Sequence, residues 1–386
     1  DLMIAVTGSD ELNMLSCYLA KKLGAKHVIA RIRNPEYNDE SLGFIKEQLG
    51  LSMAINPELL AAKELFDILK LPSAVKIDYF SRRNFEIVEL ILHENSPLDG
   101  MTLIDLRKKY PMNLLVCAVQ RGEETFIPGG NFILKSGDRI GITASHPEIL
   151  KFLKAMGDLQ KQARNVIIMG ASRTAYYLSK MLISAGNSVK IIEKDRQICE
   201  KFSEVLPNAV IINGDGANQE LLLEENISSA DAFVALSGLD EQNILVSYFA
   251  AEQKVPKVIV KINRNEFLPT AEKLGLDCIV SARRTISDVV VRYARALQKT
   301  LGSKMETLYK VMDGGAEAVE FIIDEDCEII GKPLKELKLK SNTLIAGIIR
   351  GRKPIIPSGD DVILAGDRVV VIAAGKLLND LSDIIR

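Results

Sequence analysis

The sequence predicts an α/β protein in which a two-domain unit occurs twice in tandem. The phrase TGSDELNM (residues 7–14) returns as SGLDEQNI (237–244), about 230 positions later. ARIRNPEY (30–37) and IPGGNFILKSGDRI (127–140) return in the same order as VKINRNEF (260–267) and IPSGDDVILAGDRV (356–369). Short β-branched runs alternate with helical stretches, which indicates parallel strands joined by crossover helices. Each unit is therefore predicted to hold a Rossmann-like domain and a smaller module.

The second copy shows the Rossmann-like domain most completely. NVIIM (165–169) is predicted as its first strand, followed by a glycine turn and a helix over residues 174–185. That helix has Ala175, Leu178, Met181, Leu182 and Ala185 on one face, and Gly186 ends it. Further strands are predicted at 189–192, 209–212, 232–236, 258–262 and 276–280, and a last helix at 284–299.

A small α+β module follows each Rossmann-like domain. In the second copy its strands are predicted at 318–323, 343–351 and 368–374, with a short helix at 334–337. The predicted domains are 1–82, 83–160, 161–302 and 303–386. The first Rossmann-like domain is represented only from its fourth strand, residues 2–6, and the chain does not begin with Met. We therefore expect a chain cut within a longer sequence.

The composition limits the function classes. The 49 basic and 51 acidic residues give a net charge of −2, so no overall field attracts nucleic acid or anionic lipid. No apolar run approaches the ~18 residues of a membrane span, and no signal peptide is recognisable. The five cysteines are scattered singly, which favours reduced thiols over a metal or redox site. All three histidines lie outside the second Rossmann-like domain and its module.

The candidate phosphate loop is GASRTA (170–175), between the first strand and its helix. A dinucleotide fingerprint needs glycine for a tight turn, a second glycine for close approach of the pyrophosphate, and a small third residue for packing. Gly170 and Ala175 fit this pattern, whereas Ser172 departs from it. The helix N-terminus can still offer N–H groups to an anion. An ordinary strand–helix turn is the alternative interpretation.

Residues at the ends of later strands extend the candidate site. Glu193 follows Gly170 at about the spacing of the carboxylate that accepts from ribose hydroxyls, which favours NAD(H) or an adenosine nucleotide over NADP(H). The turn NGDGAN (213–218) is either the wall of a base pocket or a glycine-rich turn with a helix cap. Asp240 in SGLDEQN is a ligand-side residue, an N-cap, or both. Lys261 and Arg264, like Arg31 and Arg33 in the first copy, are either phosphate contacts or solvated charges.

These strings resemble a known family. The succession NVIIMGASRTA, IIEKD, INGDGAN, ALSGLDEQNI and VIVKINRNEF resembles the RCK N-terminal (KTN) domain. The stretch from EIIGKPLKEL to RVVVIA resembles the RCK C-terminal domain. The N–C–N–C order is similar to that of Trk-type potassium-uptake regulatory proteins, the peripheral subunits of bacterial potassium transporters. The resemblance covers essentially the whole chain.

The resemblance implies a nucleotide site and a partner. Family members bind NAD(H), and often ATP or ADP, and assemble as homo-oligomers on the cytoplasmic face of a membrane potassium channel that they gate. We therefore expect a non-enzymatic regulatory subunit, a dimer or tetramer without its own membrane span, on the inner face of the membrane. The site residues that the resemblance implies are Gly170, Ala171, Ser172, Arg173, Thr174, Glu193, Asp215, Gly216, Ser237, Gly238, Asp240 and Lys261, with Thr7, Gly8, Asp10 and Arg31 in the first copy.

Two other function classes stay open at this point. An NAD-dependent oxidoreductase needs a proton-transfer group beside the nicotinamide, and the sequence indicates none. A scaffold that has lost ligand binding fits Ser172 and the absent first glycine loop. The small modules bind effectors in some family members, but no residue here indicates such a site.

Overall fold

The computed structural model describes residues 1–37, 39–80, 85–297 and 303–385. The first half contains strands β1 (Leu2–Ala5), β2 (His27–Arg31), β3 (Met53–Ile55), β4 (Lys76–Phe80), β5 (Phe85–Ile91), β6 (Leu114–Arg121), β7 (Glu124–Phe126) and β8 (Arg139–Ala144). Its helices are α1 (Asp10–Lys22), α2 (Asp39–Leu49), α3 (Pro57–Lys70), α4 (Leu103–Lys109) and α5 (His146–Met156).

The second half repeats this order with a longer beginning. Its strands are β9 (Asn165–Met169), β10 (Ser188–Glu193), β11 (Val210–Asn213), β12 (Ala232–Ala235), β13 (Lys257–Lys261), β14 (Ile279–Val280), β15 (Ser303–Val311), β16 (Ala316–Ile323), β17 (Thr343–Arg350), β18 (Lys353–Ile355) and β19 (Arg368–Ala374). Its helices are α6 (Arg173–Ser184), α7 (Arg196–Val205), α8 (Gln219–Glu224), α9 (Asp240–Glu252), α10 (Leu268–Lys273) and α11 (Ala282–Ala296).

Two parallel sheets confirm the Rossmann-like prediction. The second half has six parallel strands in the order β11-β10-β9-β12-β13-β14, so the strand order reverses between β9 and β12. In the first half, the described residues form a parallel sheet of β1-β2-β3, whose pairing matches that of β12-β13-β14. In such sheets ligands bind beyond the carboxyl ends of the strands at the reversal point. In the six-stranded sheet, this reversal point lies between β9 and β12.

Each small module is a five-stranded antiparallel sheet with one apolar face on its own core. The first small module has the order β4-β5-β8-β6-β7 and the second has β15-β16-β19-β17-β18. The chain divides into two compact units, one of Asp1–Phe66 with Ala163–Ser287 and one of Asp67–Gln162 with Asp288–Arg386. Like domains from the two halves thus belong to the same unit. The predicted boundaries at 82, 160 and 302 stay predictions.

Several predicted elements differ in detail. The strand predicted at 276–280 is only Ile279–Val280, because Gly275 (φ +75°) ends α10 and the next residues lead to the sheet edge. LKEL forms one 3₁₀ turn, Leu334–Glu336. Helix α6 begins one residue earlier than predicted, and Ala185 is its exposed C-cap. The last helix ends at Ala296, and residues 298 and 299 of its predicted range lie outside the described residues. Strands β15 and β18 were not predicted.

Candidate functional site

The turn from β9 into α6 requires glycine at its first position. Gly170 has φ +93°, and a Cβ there would lie 2.9 Å from both N and Cα of Ser237. The backbone ends of β9 and β12 thus approach each other at the reversal point of the sheet. This is the tight turn that the fingerprint predicts for Gly170.

Ser172 caps the helix that follows the turn. Its backbone is extended (φ −82°, ψ 167°), and its Oγ accepts a hydrogen bond of 3.3 Å from the N–H of Ala175. A serine cap stabilises a helix start by about 1 kcal/mol relative to alanine. Arg173 beside it is exposed and Thr174 is buried. Ser172 therefore replaces the second glycine of the pattern with a residue that stabilises α6.

The structure places Glu193 beside the loop. Its Oε2 accepts from the N–H of Ala171 at 2.9 Å, and its Oε1 accepts from the N–H of Asp195 at 2.9 Å. The carboxylate at the end of β10 is thus held by backbone groups on both sides. The role of Glu193 as a ribose acceptor, which its spacing from Gly170 predicts, stays a prediction.

The turn after β11 lies against the end of β9. A Cβ on Gly216 would lie 2.5 Å from Cγ of Met169, so this glycine allows close approach. The Oδ1 of Asp215 accepts from the N–H of Ala217 at 2.9 Å and from Nε2 of Gln242 at 3.3 Å. The contact from Gln242 links the turn to α9 and was not predicted from the sequence.

Asn243 is the centre of the SGLDEQN segment. It is fully buried, and its Oδ1 accepts from the N–H (3.1 Å) and Oγ (2.7 Å) of Ser237. Its Nδ2 donates to the carbonyl oxygens of Ser237 (3.2 Å) and Lys261 (3.0 Å). Asn243 thereby ties the end of β12 to the end of β13. Gly238, in the same loop, has open space where a Cβ would be.

Asp240 stabilises the neighbouring strand end. It is 3% exposed, and its Oδ2 accepts from the N–H groups of Asn263 (3.0 Å) and Arg264 (2.9 Å). The N-cap of α9 is Leu239, without a side-chain cap, so the N-cap interpretation of Asp240 is wrong. Asp240 and Asn243 together form a clamp, here called the strand-end clamp.

Lys261 donates to the backbone as well. Its Nζ lies 3.2 Å from the carbonyl oxygen of Leu236, at the end of β12. Burial lowers the pKa of this ammonium, while the negative charges of Asp240 and Glu58 act in the opposite direction. Arg264, on the same strand end, pairs with Glu241 and lies over the ring of Phe267 at 4.1 Å.

The first half repeats the strand-end clamp. Asn13 Oδ1 accepts from the N–H of Thr7 (2.6 Å), and its Nδ2 donates to the carbonyl oxygen of Arg31 (2.9 Å). Asp10 Oδ2 accepts from the N–H groups of residues 33 and 34, both at 2.8 Å. The Arg31 guanidinium donates to the carbonyl oxygen of Thr7 at 2.6 Å. Gly8 has open space where a Cβ would be. The repeated phrase is therefore explained by strand-end hydrogen bonds in both halves.

Within the same compact unit, the first half contacts the helix that carries the candidate loop. The Nδ2 of Asn56 donates to the hydroxyl of Tyr177 in α6 at 2.9 Å. Glu58 accepts from Arg33 at 2.7 Å. The sequence pattern did not indicate the contact between Asn56 and Tyr177, because these residues are 121 positions apart and no local signal specifies their pairing.

An apolar groove runs along α8 and α9. It has a volume of about 690 Å³ and is lined by Leu222, Leu239, Leu245, Tyr248 and Phe249, among others. Leu245 is 66% exposed and Tyr248 is 40% exposed. Large apolar side chains exposed side by side are typical of protein–protein contact surfaces.

The comparisons with known proteins define the class of this chain. The TrkA-N domain model matches residues 1–57 and 166–282, and the TrkA-C domain model matches residues 87–157 and 318–386. The crystal structure of the GsuK RCK domain superposes with a TM-score of 0.57 at 16% identity, over 97% of this chain and 77% of that chain. The GsuK channel bound to NAD superposes with the same TM-score over 65% of its chain. The chain therefore has tandem TrkA-N and TrkA-C domains in an RCK-type fold.

The relatives specify the family. The Trk system potassium uptake protein TrkA homolog 1 of Methanosarcina mazei is 34% identical, over 99% of this chain and 85% of its own length. The TrkA homolog of Archaeoglobus fulgidus is 34% identical over 100% and 85%. TrkA of Vibrio alginolyticus is 30% identical over 97% and 82%. The chain belongs to the TrkA family of Trk system potassium uptake proteins. None of the helices among the described residues is long and apolar enough to cross a membrane.

Proposed function

We propose that this chain is the nucleotide-binding regulatory subunit of a Trk-type potassium uptake system. The observation that carries the proposal is the reversal point of the six-stranded sheet. There Gly170 lies against Ser237, Glu193 accepts from the N–H of Ala171 in the loop, and the turn of Asp215 and Gly216 lies against β9. Family membership supports the potassium-uptake role, and the NAD-bound state of the structurally similar GsuK channel supports the ligand class.

The ligand is NAD(H), or alternatively ATP or ADP. Its phosphates would lie over the loop of residues 170–174 at the start of α6, where backbone N–H groups favour an anion. Glu193 would release the N–H of Ala171 and accept from a ribose hydroxyl instead. A carboxylate at that point repels a 2′-phosphate, so NADP(H) is disfavoured. Ser237 and Gly238, in the loop that follows β12, would line the side of the nucleotide site opposite Glu193.

The subunit acts by binding rather than by chemistry. Glu193, Asp240 and Lys261 each engage backbone groups at strand ends, an arrangement that fixes their positions and occupies their polar atoms. A ligand that binds two domain arrangements unequally shifts their populations by its differential affinity. We propose that this shift gates a membrane potassium channel or transporter from the cytoplasmic side.

The exposed apolar faces support assembly as a homo-oligomer. Helix α9 exposes Leu245 and Tyr248, and the repeat-related α1 exposes Leu12, Leu15 and Leu19 by about half each. Such faces are stabilised when another protein surface covers them. A dimer or tetramer of this chain on the transporter would cover them.

Calorimetric titration of the purified chain with NADH, NAD, ATP and ADP tests the nucleotide site. We expect about one nucleotide per chain, with binding lost in Glu193→Ala and weakened in Glu193→Gln. Glu200→Ala is the matched control, because Glu200 is an exposed carboxylate on α7 that pairs with Arg196 at 3.1 Å. If none of the four nucleotides binds, the second Rossmann-like domain is a scaffold. NADH oxidation that depends on an added substrate would favour the oxidoreductase alternative.

Reconstitution tests the partner. Vesicles containing the Trk membrane subunit are expected to take up potassium at a rate that this chain makes nucleotide-dependent. The Glu193→Ala chain is expected to bind the vesicles but to abolish the nucleotide response. A potassium-uptake rate that is the same with and without this chain and the nucleotide would refute the regulatory role.

A further inference from the structure

The two small modules meet across a buried apolar cluster in which large side chains of one face glycines of the other. The ring of Phe85 in the first small module occupies the place that a Cβ on Gly347 of the second module would take. In the opposite direction, Met312 of the second module lies over Gly141 of the first, 2.7 Å from a Cβ there. Phe85, Met312, Ala118 and Ala316 belong to the same buried cluster.

The repeat shows that these fits are not interchangeable. Strand register aligns β5 with β16, and β6 and β8 with β17 and β19. Phe85 therefore corresponds to Ala316, and Gly347 corresponds to Ala118. Gly141 corresponds to Val370. Each glycine that makes room across the contact has a larger residue at its counterpart.

The polar contacts differ between the modules in the same way. Thr143 Oγ1 of the first module donates to the carbonyl oxygen of Ala346 at 3.1 Å, whereas the counterpart of Thr143 is Ile372. Tyr309 of the second module donates its hydroxyl to the carbonyl oxygen of Tyr79 at 2.9 Å. The counterpart of Tyr309 is Asp78, whose carboxylate pairs with Lys76 at 3.0 Å.

One turn of the second module depends on the first module. Met312 and Asp313 both have φ near +50°, a backbone region that side chains other than glycine adopt at a cost. The N–H of Met312 donates to Glu89 at 3.1 Å, and Asp313 pairs with Arg139 at 2.6 Å. The strained turn is thus held by groups of the opposite module.

We propose that the two small modules are a matched pair whose faces fit each other and do not fit a second copy of themselves. In a pair of two first modules, Phe85 would meet the Cβ of Ala118 instead of a glycine. In a pair of two second modules, Met312 would meet Val370. Overpacked contacts of this kind exclude a wrong partner as effectively as good contacts select the right one. The proposal does not depend on nucleotide binding.

Substitutions in the full chain test the match. The copied-face variant, Ala316→Phe with Gly347→Ala, gives the second module the first module's residues at both positions. The exchanged-face variant adds Phe85→Ala and Ala118→Gly, which restores one large residue opposite one glycine. We expect the copied-face chain to melt about 5 °C or more below the wild type, and the exchanged-face chain to recover most of that loss.

A single substitution keeps the test informative if the copied-face chain does not fold. Gly347→Ala alone is expected to lower the melting midpoint, and to lower it less when it is introduced into a Phe85→Ala chain, where the ring that the new Cβ would meet is gone. Gly129→Ala is the control, because a Cβ at Gly129 meets nothing within 4 Å and its φ is not positive. The proposal is overturned if the copied-face chain or Gly347→Ala melts with the wild type. It is equally overturned if exchanging the faces gives no recovery.

Discussion

Gly170→Ala isolates the close approach at the reversal point of the sheet. Two effects are expected to lower the stability of this variant. The backbone of residue 170 is left-handed (φ +93°), which strains an alanine, and the new Cβ would contact Ser237. Gly186, at the other end of α6, has φ +84° and nothing within 4 Å of a Cβ. Gly186→Ala therefore carries the backbone effect without the contact, and the difference between the two variants measures the contact.

The structure sets the size of that difference. A left-handed alanine costs about 1–2 kcal/mol, less a few tenths for the stiffer unfolded chain. Carbon atoms pack at about 3.5–4.0 Å, so a Cβ at 2.9 Å from backbone atoms moves the end of β12 or β9 by more than half an ångström. Overpacking of this kind costs about 1–3 kcal/mol. Gly170→Ala should thus lose about 2–4 kcal/mol and Gly186→Ala about 1 kcal/mol.

Thermal unfolding followed by circular dichroism measures both losses. One kcal/mol lowers the midpoint of a unit of roughly 200 residues by about 2–4 °C. We expect Gly170→Ala to melt at least about 3 °C below Gly186→Ala. Equal midpoints would mean that β9 and β12 separate without cost. The assignment of Gly170 to a close backbone approach would then be refuted.

Three further substitutions test individual contacts. Ser172→Ala should lose about 1 kcal/mol of stability through the missing cap, while Ser172→Gly loses only a few tenths and binds the nucleotide more tightly by calorimetry. Asn243→Leu should lose about 3 kcal/mol or more in urea unfolding, because buried backbone groups lose their partners; a loss below 1 kcal/mol would contradict the clamp. In the first small module Arg121 pairs at 2.7 Å with Asp138, whose side chain is fully buried. Arg121→Gln removes this guanidinium and leaves the Asp138 carboxylate buried, so it should lower the melting midpoint strongly. Arg196→Gln removes an exposed ion pair and should leave the midpoint unchanged.

The regular part of the fold could be predicted from the sequence because its signals are local. The apolar run of β9 is followed by a helical pattern with a glycine at each end. The repeat in the first half predicted β12 and β13 a second time, independently. Strand β15 was missed, since SKMETLYKV mixes polar and apolar residues and becomes a strand through its antiparallel partner β16. The pairing that stabilises it lies outside any local window.

The hydrogen bonding around the candidate site could not be predicted from the sequence. The spacing from Gly170 to Glu193 predicted a carboxylate near the loop, and Glu193 does accept from the N–H of Ala171, while its role toward a ribose stays a prediction. The sequence did not show that Asp240 and Lys261 engage backbone groups, because those contacts require β13 to lie beside β12. The sequence analysis selected Asp240 from the repeated phrase as a site residue but not Asn243, which makes four hydrogen bonds at the ends of β12 and β13.

The strand-end clamp has a consequence for how the two halves diverge. Asn13 and Asn243 stabilise their sheets through hydrogen bonds to the ends of neighbouring strands. Mutations in a loop can therefore alter ligand affinity while the sheet remains folded, and selection can act on the two properties separately. One half of a duplicated chain is then free to drift in ligand preference while the other retains its own. A tandem arrangement of this kind can evolve a response to two different metabolites within one polypeptide.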